Sequence, residues 1–279
     1  MYILKNENLT AQISKNPFEL VSLKKDGKEY VYQQDSTWKK SWPICFPITG
    51  KLINDQYRLD DKTYHMTGHG FFRAITDWKV VTQTTEMLVV EYVAAKTFYD
   101  QYPFTFKLEV TYQLVGTELI NKVKITNLDS KPLPYNFGWH PAFICDDHLG
   151  KIIFDQPQIV THIPGGAFLG TTMTTEVKNE IGLDEYDFAT GQCYALLNQT
   201  TEQVLIVDPI QVIGLTTKGY PNVLVWKCQN DAKYICVEPW DGHQDDVNYA
   251  TTPFDQKPWI NHLAPQATKE YLLQVELKK

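Results

Sequence analysis

The sequence predicts an all-β fold, a large antiparallel β-sandwich, from three observations. Apolar and polar residues alternate at period 2 over long stretches. Strand-sized segments bounded by Gly, Pro, Asn or Asp recur about every 8 to 12 residues, and no segment carries a sustained helical stripe. In chain order, Glu29 to Gln33 is the first short strand, followed by Leu88, Val90, Tyr92 and Ala94 around Glu91. The clearest strand begins at Phe104, where Phe104, Phe106, Leu108, Val110, Tyr112 and Leu114 alternate with Thr105, Lys107, Glu109, Thr111 and Gln113. Gly116-Thr117 then offers a turn, and Leu119, Val123 and Ile125 resume the alternation, so an antiparallel hairpin is expected. Asp146 to Glu185, with Gly165-Gly166, Gly170 and a threonine-rich stretch, is the least regular segment and is expected to carry long loops over a site. Cys193 to Leu197, Val204 to Val207, Val223 to Trp226, Tyr234 to Val237 and the alternating Tyr271, Leu273, Val275 and Leu277 complete the strand set.

No repeat or low-complexity linker divides the 279 residues, so one domain over 1–279 is expected, a length and a 43% hydrophobic content that suffice for one large core. A formal net charge of -7 repels phosphate backbones and argues against a nucleic-acid partner. Met1 to Leu9 interleaves Lys5, Asn6, Glu7 and Asn8 with its apolar residues, unlike a secretory signal, and no apolar run approaches the roughly 20 residues that span a bilayer. The expectation is a cytoplasmic protein with no membrane partner. Cys45, Cys145, Cys193, Cys228 and Cys236 form an odd set without a C-x-x-C pair, which fits reduced thiols.

Two histidines stand out by their neighbours: His69 in Thr67-Gly68-His69-Gly70-Phe71-Phe72-Arg73 and His140 in Phe137-Gly138-Trp139-His140-Pro141-Ala142-Phe143. Glycine lets backbone bend closely around a ligand, and aromatic faces suit the C–H surface of a pyranose. Glu238, in Tyr234-Ile235-Cys236-Val237-Glu238-Pro239-Trp240, follows an apolar strand, a setting whose desolvation raises a carboxyl toward the range of a general base. Each residue also has an ordinary reading: a half-buried imidazole bonded to a carbonyl, or a strand-end glutamate facing solvent. His65 and His69, with His140, Asp241, His243 and Asp245, offer metal-ligand types, but Gly68 and Gly70 argue against a helix there. In a strand, four-residue spacing separates the two imidazoles by about 13 Å, so no metal is expected. There is no G-x-S-x-G elbow and no phosphate-cradling glycine loop, which leaves acid and base chemistry.

Taken together, Cys45-Phe46-Pro47-Ile48-Thr49-Gly50-Lys51-Leu52, His69-Gly70-Phe71-Phe72-Arg73, Trp139-His140-Pro141-Ala142-Phe143 and Cys236-Val237-Glu238-Pro239-Trp240 resemble the aldose 1-epimerase (galactose mutarotase) family, and within it the LacX-like branch. The resemblance runs from about Phe18 to Val275 and fades between Asp146 and Ala189. It implies a galactose mutarotase-like sandwich, a monosaccharide or sugar phosphate held in an open cleft, no metal and no organic cofactor, and a monomer or homodimer. By the same resemblance His140 is the catalytic acid, Glu238 the catalytic base and His69 a substrate-orienting histidine. Lys51 stands where the family carries an arginine and would take over its sugar contact, and the His69-Gly70-Phe71-Phe72-Arg73 form is similar to the hexose-6-phosphate 1-epimerase branch, where Arg73 would meet a phosphate or an acidic sugar group. The family's substrate-binding aspartate falls on Asp187 or Asp184, with Asp187 preferred. The implied activity is interconversion of hexose anomers. The alternatives are a hexose-6-phosphate 1-epimerase and a non-catalytic carbohydrate-binding or sensing protein.

Overall fold

The computed structural model describes residues 1–94, 96–165 and 168–278; Gly166 of the Gly165-Gly166 pair lies outside them. Four antiparallel strands, Tyr2–Lys5, Leu9–Lys15, Phe18–Lys25 and Lys28–Glu29, form an N-terminal sheet. Most of the other strands join one sheet of 15 strands that runs from Ile44–Cys45 at one end to Lys79–Gln83 at the other. The fold is the large antiparallel β-sandwich the alternation predicts.

The hairpin shows why the pattern fixes the register. Phe106–Val115 pairs with Glu118–Asn127 so that Leu114 faces Leu119, Val110 faces Val123 and Leu108 faces Ile125, around a turn in which Gly116 has φ 57°. Along each strand, buried and half-exposed residues alternate. The buried set packs with Leu4, Ile13 and Leu20 of the N-terminal sheet and with Val90 of the next strand. Each such side chain is worth about 1.5–3 kcal/mol when buried, and a one-residue slip would expose the whole row, so the register is strongly specified.

The segment from Asp146 to Glu185 departs from the loops expected of it. Lys151–Ile163 and Thr174–Gly182 are paired strands, with a register shift between Ile153 and Gln158. Thr174–Gly182 is an edge strand whose side chains are mostly exposed on both faces, so it carries no apolar alternation to read. Glu29 to Gln33 is also not one strand, since Lys28–Glu29 ends it and Val31 makes only an isolated bridge to Phe143.

Tyr234 to Val237 extends to Asp241, through a proline that ordinarily ends a strand. The neighbouring strand explains it. Phe137–Trp139 pairs with the far end, Gly138 opposite Trp240, and Ala142–Ile144 pairs with the near end, Ala142 opposite Cys236. Between them His140-Pro141 leaves the ladder, so Pro239 has no bond to donate on that side. That gap places His140 beside Glu238. No helix among the described residues is long and apolar enough to cross a membrane.

Candidate active site

Ile44–Cys45, Phe137–Trp139, Tyr234–Asp241, Asn222–Trp226 and Cys193–Leu197 are consecutive neighbours in the large sheet. Their period-2 alternation sorts two buried faces. Ile235, Val237, Val223, Val225, Tyr194 and Leu196 join the main core. Residues of the opposite parity, Cys236, Glu238, Trp240, Leu224, Trp226 and Cys193, lie on the other face, where Leu224 pairs with Glu238 and Trp226 with Cys236. A glutamate in a strand buried on both faces has nowhere to go but an apolar wall. That wall lines a cavity of ≈ 440 Å³, a volume typical of small-molecule sites, which span about 300–1,000 Å³.

Glu238 is 2% exposed and His140 5%, and His140 Nε2 lies 3.4 Å from Glu238 Oε2. The imidazole is held on three sides. Trp38 stacks on it at 5.2 Å between centroids, Trp226 meets it edge-on at 5.7 Å, and the His69 ring stands edge-on at 5.0 Å. The His140 backbone N–H donates to Pro43 O at 2.9 Å, tying the strand gap to the neighbouring chain. Glu238 Oε2, His140 Nδ1 and the Gln244 side-chain oxygen are buried without hydrogen-bond partners among the described residues, and all three residues line the cavity. Orphaned buried polar atoms are rare and mark where a ligand's hydroxyls can bond.

His69 has φ 66°, in the left-handed region, and Gly70 follows at φ 73°. A Cβ on Gly70 would lie 2.1 Å from Phe46 O, so only glycine allows this close approach. The approach is stitched by Phe46 N–H to His69 O at 3.1 Å, Phe71 N–H to Phe46 O at 3.1 Å and His69 N–H to Gly50 O at 2.8 Å. His69 Nδ1 accepts from the Gly50 N–H at 3.3 Å and faces Cys45 Sγ at 3.2 Å. A nitrogen that accepts a backbone N–H carries no proton, so the neutral ring keeps its proton on Nε2 and is a fixed donor.

The charges follow from burial. Desolvation holds His69 down to about 3, with Lys40 and Lys51 adding to the shift. Desolvation likewise holds His140 well below the usual imidazole range, with His69 and Lys40 acting in the same direction. Burial pushes the Glu238 carboxyl well above its usual range, opposed by Lys40 and by the Trp240 side chain. Lowering the histidine and raising the glutamate leaves the pair holding one proton between them across the neutral range.

Of the residues singled out in the sequence, His140, Glu238, His69 and Lys51 line this cavity together. Arg73 does not reach it. Its Nε donates to Glu19 Oε2 at 2.6 Å and its guanidinium to Lys39 O at 3.0 Å. Asp187 is turned away as well, accepting from Ala189 N–H, Asn230 and Gln192 at 2.8, 2.9 and 3.0 Å. It holds the turn whose Gly191 lines the cavity, while Asp184 is exposed and outside the lining. Of the other residues considered as metal ligands, Asp245 pairs with buried Lys257, Asp241 accepts from Tyr271, His243 Nδ1 donates to Gln244 O, and His65 is exposed at the end of Lys62–His65.

Trp38, Lys40, Phe168, Trp226 and Gln244 line the cavity unannounced by the sequence. Trp226 was legible only as the end of a strand, and Trp38, Lys40, Phe168 and Gln244 lie in irregular stretches with no motif to single them out.

The sequence pattern of the family described as Aldose 1-epimerase matches residues 1–255. The chain is similar to the chromosomal protein LacX of Lactococcus lactis subsp. lactis, 29% identical over 289 residues that cover 96% of each chain. It is also similar to the crystal structure of a galactose mutarotase-like protein from Lactobacillus casei ATCC 334, 29% identical, covering 99% of each chain with a TM-score of 0.86. A galactose mutarotase related enzyme from Lactobacillus acidophilus, 23% identical, shares the fold over 100% of this chain and 97% of the other, with a TM-score of 0.88. With sequence and fold agreeing over nearly the whole length, the chain belongs to the aldose 1-epimerase family.

Proposed function

We propose that this chain is a mutarotase that interconverts the α and β anomers of a hexose by opening and reclosing its ring, with His140 as acid and Glu238 as base. The observation that carries the reading is the buried pair itself, His140 Nε2 and Glu238 Oε2 3.4 Å apart on one wall of a sugar-sized cavity. Ring opening removes the proton of the anomeric hydroxyl and delivers one to the ring oxygen. Two adjacent groups that share one proton can do both without an external acid. Glu238 takes the hydroxyl proton while His140 gives its proton to the ring oxygen. Rotation about C1–C2 and reclosure with the roles reversed yield the other anomer.

In the resting site burial favours the uncharged pair. A bound sugar shifts the balance, because its hydroxyls bond the orphaned Glu238 oxygen and so favour the carboxylate. His69, kept neutral with its proton on Nε2, donates to a sugar oxygen and positions the ring. Trp38, Trp226 and Trp240 supply apolar faces. Each positioned acid or base is worth typically about 10²–10⁴ in rate, enough for a reaction that already proceeds in water.

A second reading has its own support. Lys40 and Lys51 line the cavity and neither has an ion-pair partner among the described residues, which suits a sugar bearing an anionic group such as a 6-phosphate. Anomer exchange of glucose, galactose and glucose 6-phosphate followed by NMR separates the readings. Acceleration of the free sugars supports the first, and a preference above about tenfold for the phosphate, about 1.4 kcal/mol of transition-state binding, replaces it with the second. Sugar binding without acceleration of any substrate would leave a carbohydrate-binding protein and refute both.

A further inference from the structure

The acid–base pair has a third neighbour. Cys236 lies two residues before Glu238 on the same face of the strand, and His140, Cys236 and Glu238 bring one nitrogen, one sulfur and one oxygen within 4.8 Å of one another, all buried. The pair's separation is informative. At 3.4 Å the His140–Glu238 gap is wider than the roughly 2.7–2.9 Å of a charge-assisted hydrogen bond. It matches the edge of a tetrahedral zinc site, about 3.3 Å for bonds of roughly 2.0–2.1 Å to nitrogen and oxygen. Glu238 Oε2, moreover, has no hydrogen-bond partner among the described residues.

We propose that the wall of the sugar cavity is a binding site for a thiophilic divalent cation of the zinc class. His140 Nε2, Cys236 Sγ and Glu238 Oε2 are its ligands, and its fourth position opens onto the cavity. Imidazole, thiolate and carboxylate together suit zinc better than the oxygen-seeking magnesium or calcium. The thiolate and the carboxylate neutralise the two positive charges, so the filled site carries none into this buried wall. Entry runs through the cavity, since His140 and Glu238 line it. Binding displaces the Cys236 thiol proton and the proton shared by His140 and Glu238, two protons per ion, and leaves the metal on the atoms that move protons in ring opening.

The binding site stands on the three ligands alone. Its consequence, inhibition that sugar relieves, rests on the proposed mutarotase activity. The test uses the full-length protein freed of metal with a chelator, then titrated with ZnCl2 by calorimetry and with CoCl2 by absorbance. The expected result is one tight equivalent and a thiolate-to-cobalt charge-transfer band. The band disappears in Cys236→Ser and remains in Cys193→Ser, whose thiol lines the cavity itself. Half-inhibition by Zn2+, measured against each protein's own metal-free rate, shifts at least tenfold upward in Cys236→Ser, and saturating sugar shifts it likewise in the wild type. If Cys236→Ser does not fold, Glu238→Gln takes its place, with zinc affinity reduced at least tenfold. Cobalt bound without a thiolate band, a band that follows Cys193, or zinc affinity indifferent to Glu238→Gln overturns the site. A Cys236-dependent band on a protein that accelerates no sugar keeps the metal site and removes the mutarotase reading.

Discussion

Replacing Arg73 tests whether this residue supports the fold or meets the substrate. Glu19 is fully buried, and its carboxylate accepts from Arg73 Nε at 2.6 Å, from the Trp42 N–H at 2.7 Å and from the Ser41 N–H. Arg73 also donates to Lys39 O, so the ion pair pins both ends of the Lys39–Trp42 segment that carries Lys40 to the cavity. Removing one partner of a buried pair costs about 3–5 kcal/mol. Here the Arg73 side chain is 31% exposed and two backbone donors stay with the carboxylate, which lowers the expectation for Arg73→Met to about 2–3 kcal/mol. For 279 residues the entropy of unfolding is about 0.6 kcal/mol/K, so Tm should fall by about 3–5 °C. Thermal and urea unfolding of Arg73→Met, Glu19→Gln and the double variant should show the double losing less than the sum of the singles. The ratio of rates on glucose 6-phosphate and glucose should move less than threefold. An unchanged Tm together with a tenfold fall in that ratio would refute the structural role and return Arg73 to the substrate.

Three further outcomes are expected. The rate against pH should be flat through the ordinary histidine range near 6.5. It should fall at lower pH, where the pair takes a second proton and loses its base, and at higher pH, beyond the raised Glu238 range, where it loses its only proton and its acid. A single titration centred on 6.5 in kcat/KM contradicts this. His69 is held down to about 3, so below 6.5 the unfolded chain takes up a proton that the folded chain refuses, and this residue's stability contribution, complete above 6.5, is lost as pH falls. At pH 5 the loss is about 2 kcal/mol, and urea unfolding at pH 7 and 5 should find His69→Gln less acid-sensitive by that amount. Gly70→Ala, with its Cβ forced toward Phe46 O at φ 73°, should destabilise by well over the ~1 kcal/mol of an ordinary glycine replacement, and unaltered urea unfolding would contradict the close approach.

Much of the fold was legible because each long strand repeats its own signal. The hairpin of Phe106–Val115 and Glu118–Asn127 alternates over its entire length, and its pairing follows from that alternation. Thr174–Gly182 was illegible for the opposite reason, since an edge strand exposed on both faces has no apolar parity. Glycines and aromatics beside His69 and His140 pointed to a pocket, while the apolar strand before Glu238 left it open between burial and solvent, and the structure buries it. The proximity of these three residues depends on the order of strands in the sheet, which local patterns do not encode. Lys40 and Gln244 come to the cavity through long-range bonds, such as Asp245 N–H to Lys51 O, that leave no trace in neighbouring residues. Arg73 looked like an anion ligand because its partner, Glu19, lies 54 residues away.

The rate of anomer exchange measured side by side for the wild type and Glu238→Gln bears most directly on the role of the buried pair. Glutamine keeps the shape of the side chain on the cavity wall and removes its capacity to hold the shared proton, so affinity for the sugar should stay within a few-fold while kcat falls by about 10²–10⁴. A Glu238→Gln protein that opens its sugar at the wild-type rate would contradict the role given to His140 and Glu238.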